Sequence, residues 1–328
     1  MAYCKPWKDE HQQIDMLESR GLLIGDRDKA IACLARIGYY RLSGYWFAFR
    51  ERTGECCDYP PKAKKREQVN RVVLDTFKDG ASFHNAVDLY VFDKQLRLLA
   101  MDALERIEIA MRVDISHRLG NYDRFAYLHA DLFHSTFTEK IDVKTGTSQH
   151  HQWIGNHARL VSRSKEEFVI HNKSKYGLPL AIWIACEVWD FGTMSKLFGG
   201  MQEKDQDSIA KKYGISNGRI FAGWLRSLNY FRNVCAHHCR LWNRNIVEQP
   251  KLPPQEEIPW IQHFHGHTHR QARCYMLFVM AGHMLGTINP HSRWKLRVKN
   301  HLASFPDLRH LGLSLGGMGA VDGWDAFE

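Results

Sequence analysis

One long stretch of helical periodicity constrains this chain more than any other feature. From Ser82 to about Leu119, Leu89, Phe92, Leu96, Leu99, Ala103, Ile107 and Ala110 recur at spacings of three or four. That spacing lines one side of a 3.6-residue helix. Ser82 has the side chain of an N-cap, and Gly120–Asn121 supplies a stop. Asp93/Arg97, Asp102/Arg106 and Glu108/Arg112 are acid-before-base pairs four apart. They are predicted on the solvent side, where each adds about 0.2–0.5 kcal/mol. Other helical patterns surround this one. Short helices are expected at 8–20 and 27–37, followed by the aromatic run GYYRLSGYWFAF (38–49), which reads as core packing. Helical patterns resume over 150–174, and Pro179 is expected in the first turn of the apolar helix LPLAIWIACEVWDF. Further helices are expected at 204–213, 218–230, 231–245 and 270–304, with a fraying Gly-rich tail. VVLDTF (72–77) is the best strand. Segments 51–70 and 138–148 read as loops, the first carrying Lys62, Lys64, Lys65 and Arg66. The fold class is therefore all-α.

Composition narrows the function. With 328 residues, 44% hydrophobic and 25% charged, the chain has the balance of a folded protein, not a disordered one. No apolar run approaches the roughly 20 residues of a membrane span, and the first residues carry no apolar signal region. A cytoplasmic location with reduced thiols and no membrane partner is expected. The formal charge of +9 favours an anionic partner such as nucleic acid. No GxxxxGK[ST] or GxGxxG lies in a strand–helix context, which argues against NTPase or dinucleotide chemistry.

The chemistry concentrates in SLNYFRNVCAHHCRLWNR (227–244). On a helix, Asn233 and His237 share a face, whereas Arg232 and His237 lie about 140° apart. An imidazole can take a proton from a hydroxyl, and a guanidinium can hold a phosphate by two parallel hydrogen bonds. Those parts suffice to cleave RNA without a metal. The same Arg-to-His spacing recurs in RVDISH, from Arg112 to His117, without the adjacent polar residue. On spacing alone an ordinary helix surface explains either copy. Glu187 lies between Trp183 and Trp189, where a carboxylate needs either a partner arginine or exposure. CAHHC offers Cys235, His237, His238 and Cys239, and HFHGHTH offers His263, His265, His267 and His269 at alternate positions. Zinc sites draw ligand pairs from separated segments, so no metal and no other cofactor is expected. Cys56 and Cys57 are adjacent and poorly disposed to share a metal.

Several ordered stretches resemble the Abi-like (abortive infection, phage-resistance) family. They are KPW (5–7), QIDMLESRGLLI (13–24), RIGYYRLSGYWFAFR (36–50), LYVFDKQLRLLAMDALERIEIAMR (89–112), PLAIWIACEVWDFGTMSKL (179–197) and WLRSLNYFRNVCAHHCRLWNR (224–244). That family is similar to the HEPN superfamily of α-helical, metal-independent ribonucleases. The resemblance implies a HEPN-like helical bundle with additional N- and C-terminal helices, divided as 1–60, 61–249 and 250–328. The HEPN motif is Arg, a polar residue, three residues, then His, and it falls on Arg232, Asn233 and His237. It implies His237 as general base and Arg232 as phosphate stabiliser. The products would carry 2′,3′-cyclic phosphate and 5′-hydroxyl ends. His238, Arg240, Arg244 and Glu187 are the accompanying RNA-binding candidates. A homodimer, an RNA substrate and a small-RNA antitoxin are the partners the resemblance implies. A non-catalytic RNA-binding or partner-binding helical protein is the alternative.

Overall fold

The computed structural model describes residues 4–52 and 73–324. The chain divides into two compact units, Met1–Leu96 with Asn300–Gly317 and Arg97–Lys299 with Met318–Glu328. In the first unit, α1 (Glu10–Ser19) opens on a capping box. Asp9 Oδ1 accepts from Gln12 N at 2.8 Å, and the Gln12 amide oxygen accepts from Asp9 N at 3.3 Å. Helix α2 (Arg27–Ile37) is capped by Asp26, and α3 (Tyr39–Trp46) begins the aromatic run. Leu42, Tyr45, Trp46 and Phe49 are core residues, as expected, whereas Tyr40 and Phe47 are exposed. The expected strand is β2 (Val73–Phe77), which pairs antiparallel with β1 (Arg50–Arg52). Residues 51 and 52, read as loop, are thus strand. The four basic residues at 62–66 and the pair Cys56–Cys57 lie outside the described residues.

Helix α4 (Phe83–Gly120) is the long periodic stretch. Ser82 Oγ accepts from Asn85 N at 3.1 Å, which confirms the cap. One expectation about this helix fails at two of its three charged pairs. Asp93 is fully buried and accepts the Tyr45 hydroxyl at 2.7 Å, and Arg97 is also buried. Glu108 and Arg112 are only 13% and 17% exposed. Acid-before-base spacing describes a helix face but not what covers it. The described part of the tail, through residue 324, does not fray either. Leu308, Leu311, Met318 and Val321 are buried, and Lys78 Nζ donates to Leu311 O at 2.6 Å within the first unit.

The second unit holds the end of α4, then α5 (Ser135–Thr138), α6 (Gln149–Arg163), α7 (Glu167–Tyr176), α8 (Ile182–Ala185), α9 (Phe191–Gly200), α10 (Glu203–Lys212) and α11 (Gly218–Ala236). It is completed by α12 (Thr268–Gln271), α13 (Cys274–Ile288) and most of α14 (Trp294–Ala303). The pattern over 150–174 is thus two helices, and that over 270–304 is α13 and α14. Pro179 does not start a helix: 178–181 are non-helical, and α8 is followed by a 3-10 turn Cys186–Val188. The core is built on α11, whose Phe221, Trp224, Leu225, Leu228 and Phe231 are buried; α9, with Phe191, Met194 and Leu197 buried, packs on it. A Cβ at Gly218 would stand 2.3 Å from that of Gln206, so glycine is what lets α10 and α11 meet there. Buried Asp205 of α10 accepts from Arg118 Nε at 2.6 Å and from Tyr122 Oη at 2.8 Å, which fixes the end of α4. Among the described residues, no helix is long and apolar enough to cross a membrane.

Candidate functional site

The predicted helix over 231–245 does not exist. Helix α11 runs unbroken from Gly218 to Ala236 and stops with His237 as its C-cap. His238 follows in the left-handed region at φ 56°. Its N–H donates to Cys235 O at 3.0 Å, and Cys239 N–H donates to Val234 O at 3.0 Å. These two bonds form a Schellman motif, with histidine where glycine is usual. The stop therefore carried no glycine signal. It leaves both imidazoles exposed at the end of the helix.

The Asn233 side chain bonds Arg232, and its main chain makes the ordinary helix bond to His237. The side-chain Oδ1 accepts from Arg232 Nη1 at 3.3 Å, and the main-chain oxygen accepts from His237 N at 3.0 Å. Arg232 and Asn233 are half-buried, so the guanidinium is held while the imidazole faces solvent. Tyr230 lies three and seven residues before Asn233 and His237, on the same helix face. Its hydroxyl accepts from Arg244 Nε at 3.0 Å. That bond, together with Cys239, raises the Arg244 pKa. Arg240 is half-buried beside them in the sequence.

A second group comes from α4 and from the start of α9. Arg112 binds the Glu108 carboxylate and the Trp189 main-chain oxygen, and its Nη1 stands 3.9 Å from Glu187 Oε2. Burial pushes the Glu108 carboxyl up, opposed by the positive charges of Arg112 and Arg232. Arg112 of RVDISH binds this carboxylate, and the positive charge of Arg232 of RNVCAH acts on it within the same chain. Asp190, which also acts on Glu108, caps α9 through Thr193 N at 2.7 Å. Glu187 sits in the 3-10 turn, not in an apolar helix, and is exposed against Arg112: both explanations offered for it hold. His117 does not join this group. It is exposed, and its imidazole makes no hydrogen bond or ion pair with the described residues.

Trp189 anchors the arrangement from below. It is fully buried, and its Nε1–H donates to His157 Nδ1 at 3.1 Å. His157 stacks on Trp153, and burial lowers its pKa to about 4. A neutral His157 accepting on Nδ1 is what this bond requires.

Among the described residues, no group of three or more His, Cys, Asp or Glu could hold a metal ion. The HFHGHTH segment is not extended: it runs through the 3-10 turn Pro259–His263, a further turn and α12. His265 Nε2 bonds Pro253 O at 3.2 Å.

Sequence reasoning missed Glu108, Asp190 and Tyr230 as neighbours of the motif. Tyr230 was findable from its spacing to Asn233 and His237. Glu108 was visible only as a partner of Arg112.

The family model for Abi-like proteins matches residues 32–243, about two thirds of the chain. The chain belongs to the Abi-like family. The matched stretch of this Abi-like protein runs from α2 through the end of α11, and so includes Glu108, Arg112, Glu187, Arg232, Asn233 and His237. Arg244 lies just beyond it. No curated protein and no solved structure matches the chain.

Proposed function

We propose that this Abi-like protein is a metal-independent endoribonuclease of abortive-infection phage defence, of the HEPN type, acting through Arg232, Asn233 and His237. One observation carries the reading: the Asn233 side chain holds the half-buried Arg232 guanidinium one helical turn before His237, which is exposed at the helix end. His237 takes the proton of a ribose 2′-hydroxyl. The resulting alkoxide attacks the adjacent phosphorus, the bond to the 5′-oxygen breaks, and that oxygen leaves with a proton. The products carry 2′,3′-cyclic phosphate and 5′-hydroxyl ends. Arg232 holds the phosphate and stabilises the charge that grows on it.

Arg112, anchored by Glu108 and Trp189 O, supplies a second guanidinium from the same chain. The same reading includes RNA contacts from His238, Arg240 and Arg244, pairing of two chains across a twofold axis at the end of α11, and a small RNA that restrains a toxin. Expression of wild type and of His237→Ala in a bacterial host tests it. Growth arrest with fragmented total RNA is expected only from wild type. Equal arrest and fragmentation by both chains would overturn the assignment. A wild type that binds RNA and leaves it intact would mark a non-catalytic RNA-binding protein.

A further inference from the structure

The segment 182–189 runs antiparallel to the end of α4. Gly120 faces Ile182 and Trp183 at one end, and Arg112 donates to the main-chain oxygens of Glu187 and Trp189 at the other. Two side chains of this segment, one helical turn apart, point outward. Glu187 meets Arg112, and Trp183 is 52% exposed. Most other tryptophans of the second unit are placed quite differently: Trp153, Trp189, Trp224, Trp242 and Trp294 are all buried. Trp183 is nonetheless seated. A Cβ on Gly120 would stand 3.5 Å from its Cε3 and 3.7 Å from its Cζ3, so the indole rests over the one residue of α4 without a side chain there. An exposed indole with a fixed seat loses little freedom when something stacks on it.

We infer that Trp183 is the base-stacking platform of this site, holding an unpaired nucleobase of single-stranded RNA on the segment whose Glu187 meets Arg112. The inference rests on the proposed reading of the site as an RNA site. The chemistry is complementary: a guanidinium pair recognises phosphate without regard to sequence, and an indole offers its face to any base. Only a base out of its helix can reach such a face, so the occupant is single-stranded. An exposed tryptophan can also anchor a protein contact, which the test separates.

The test is binding of a 2′-O-methylated single-stranded oligonucleotide, which has no 2′-hydroxyl to attack, by wild type, Trp183→Ala and Trp183→Phe. An oligonucleotide of the same length with abasic sites is the control. Loss of one base stack corresponds to roughly a 5- to 150-fold weaker Kd. That loss is expected for Trp183→Ala with the base-bearing strand, with partial retention by Trp183→Phe and no change for the abasic strand. Unchanged affinity for Trp183→Ala overturns the inference, as does an equal loss with both strands. Unchanged RNA affinity with loss of the chain's own self-association assigns Trp183 to a protein contact and overturns it as well. The nuclease reading fails separately: Trp183-dependent binding by a wild type that leaves cleavable RNA intact supports the stacking platform and removes the enzyme. Cleavage with no dependence on Trp183 does the reverse.

Discussion

The Arg-to-His spacing of RVDISH and that of RNVCAH are treated differently by the structure. Arg112 and His117 lie inside α4, which continues past them to Gly120. A regular helix separates them by about 140° around the axis. Arg112 faces Glu108 and the 182–189 segment, and His117 is left in solvent. Arg232 and His237 lie at the end of α11, where the helix stops at Ala236 and the chain turns at His238. The same spacing yields one embedded arginine in the first case. In the second it yields an arginine bonded by the Asn233 side chain and an exposed histidine, because Asn233 is present and the helix ends. Spacing between residues is not the motif; spacing plus a helix terminus is.

The sharpest way to break this comparison is to remove each imidazole. His237→Ala is expected to lower RNA cleavage by about 10²–10⁴-fold, the usual worth of a general base. His117→Ala is expected to leave the rate near wild type. Purified variants assayed on one labelled RNA check both. Equal losses would mean that the two copies are equivalent after all.

The arginines sharpen it next. Arg232→Ala is expected to cost about 10²–10³-fold in cleavage rate, the worth of one group stabilising transition-state charge. Arg112→Ala adds a loss of stability. It leaves Glu108, which is 13% exposed, without its bonded guanidinium. An unmatched buried group of this kind costs about 1–3 kcal/mol. Pairing Arg112→Ala with Glu108→Gln should cost less than the sum of the single changes, as read by urea unfolding. Additive losses would show that the pair is not coupled.

Acid acts on the first copy's support. The folded His157 pKa, about 4, lies below the ordinary 6.5, so the unfolded chain takes up the proton first. Its stability contribution is complete above about pH 6.5 and is lost as pH falls toward 4, amounting to about 2 kcal/mol at pH 5. His150 and His283 are lowered by burial in the same direction. Each donates from Nε2 to a main-chain oxygen, of Tyr127 and Tyr213 respectively, at 2.8 Å. Melting at pH 7 and pH 5 should show the loss, reduced in His157→Gln. An unchanged midpoint would contradict a buried neutral imidazole under Trp189.

The smallest effect concerns the second copy's terminus. His238 occupies a backbone region that glycine adopts without strain. His238→Gly is expected to stabilise the fold by about 0.5–1 kcal/mol. Thermal unfolding reads the change, and a destabilised variant would mean that the His238 side chain contributes more than its backbone costs.

How much of this was legible in the sequence depends on how local each signal is. Helices α1, α2, α4 and α10 follow from short-range periodicity and from caps such as Asp9, Asp26 and Ser82, and they stand close to where the pattern puts them. The end of α11 was not legible, because a histidine replaces the glycine that announces a Schellman stop. The break at 178–181 was missed because a proline after Gly177 reads equally well as a helix start. The Arg232–Asn233–His237 set was legible as residues, and the side-chain bond from Arg232 to Asn233 was not. Glu108 was read as a solvent-side charge because i,i+4 pairing looks the same whether the face is wet or covered. Its burial, and the action of the Arg232 charge on it, are tertiary facts. The seat of Trp183 over Gly120 is another, since 63 positions separate them in the chain.

The central claim is that a 2′-hydroxyl, deprotonated at the end of α11, is the nucleophile. Its most direct test is the chemistry of the RNA ends left by the purified chain in the presence of EDTA, with a substrate 2′-deoxy at the cleavage position as control. The account predicts 2′,3′-cyclic phosphate and 5′-hydroxyl ends, full activity in EDTA and an inert deoxy substrate. Fragments with 5′-phosphate ends, or cleavage of the deoxy substrate at the wild-type rate, would contradict it.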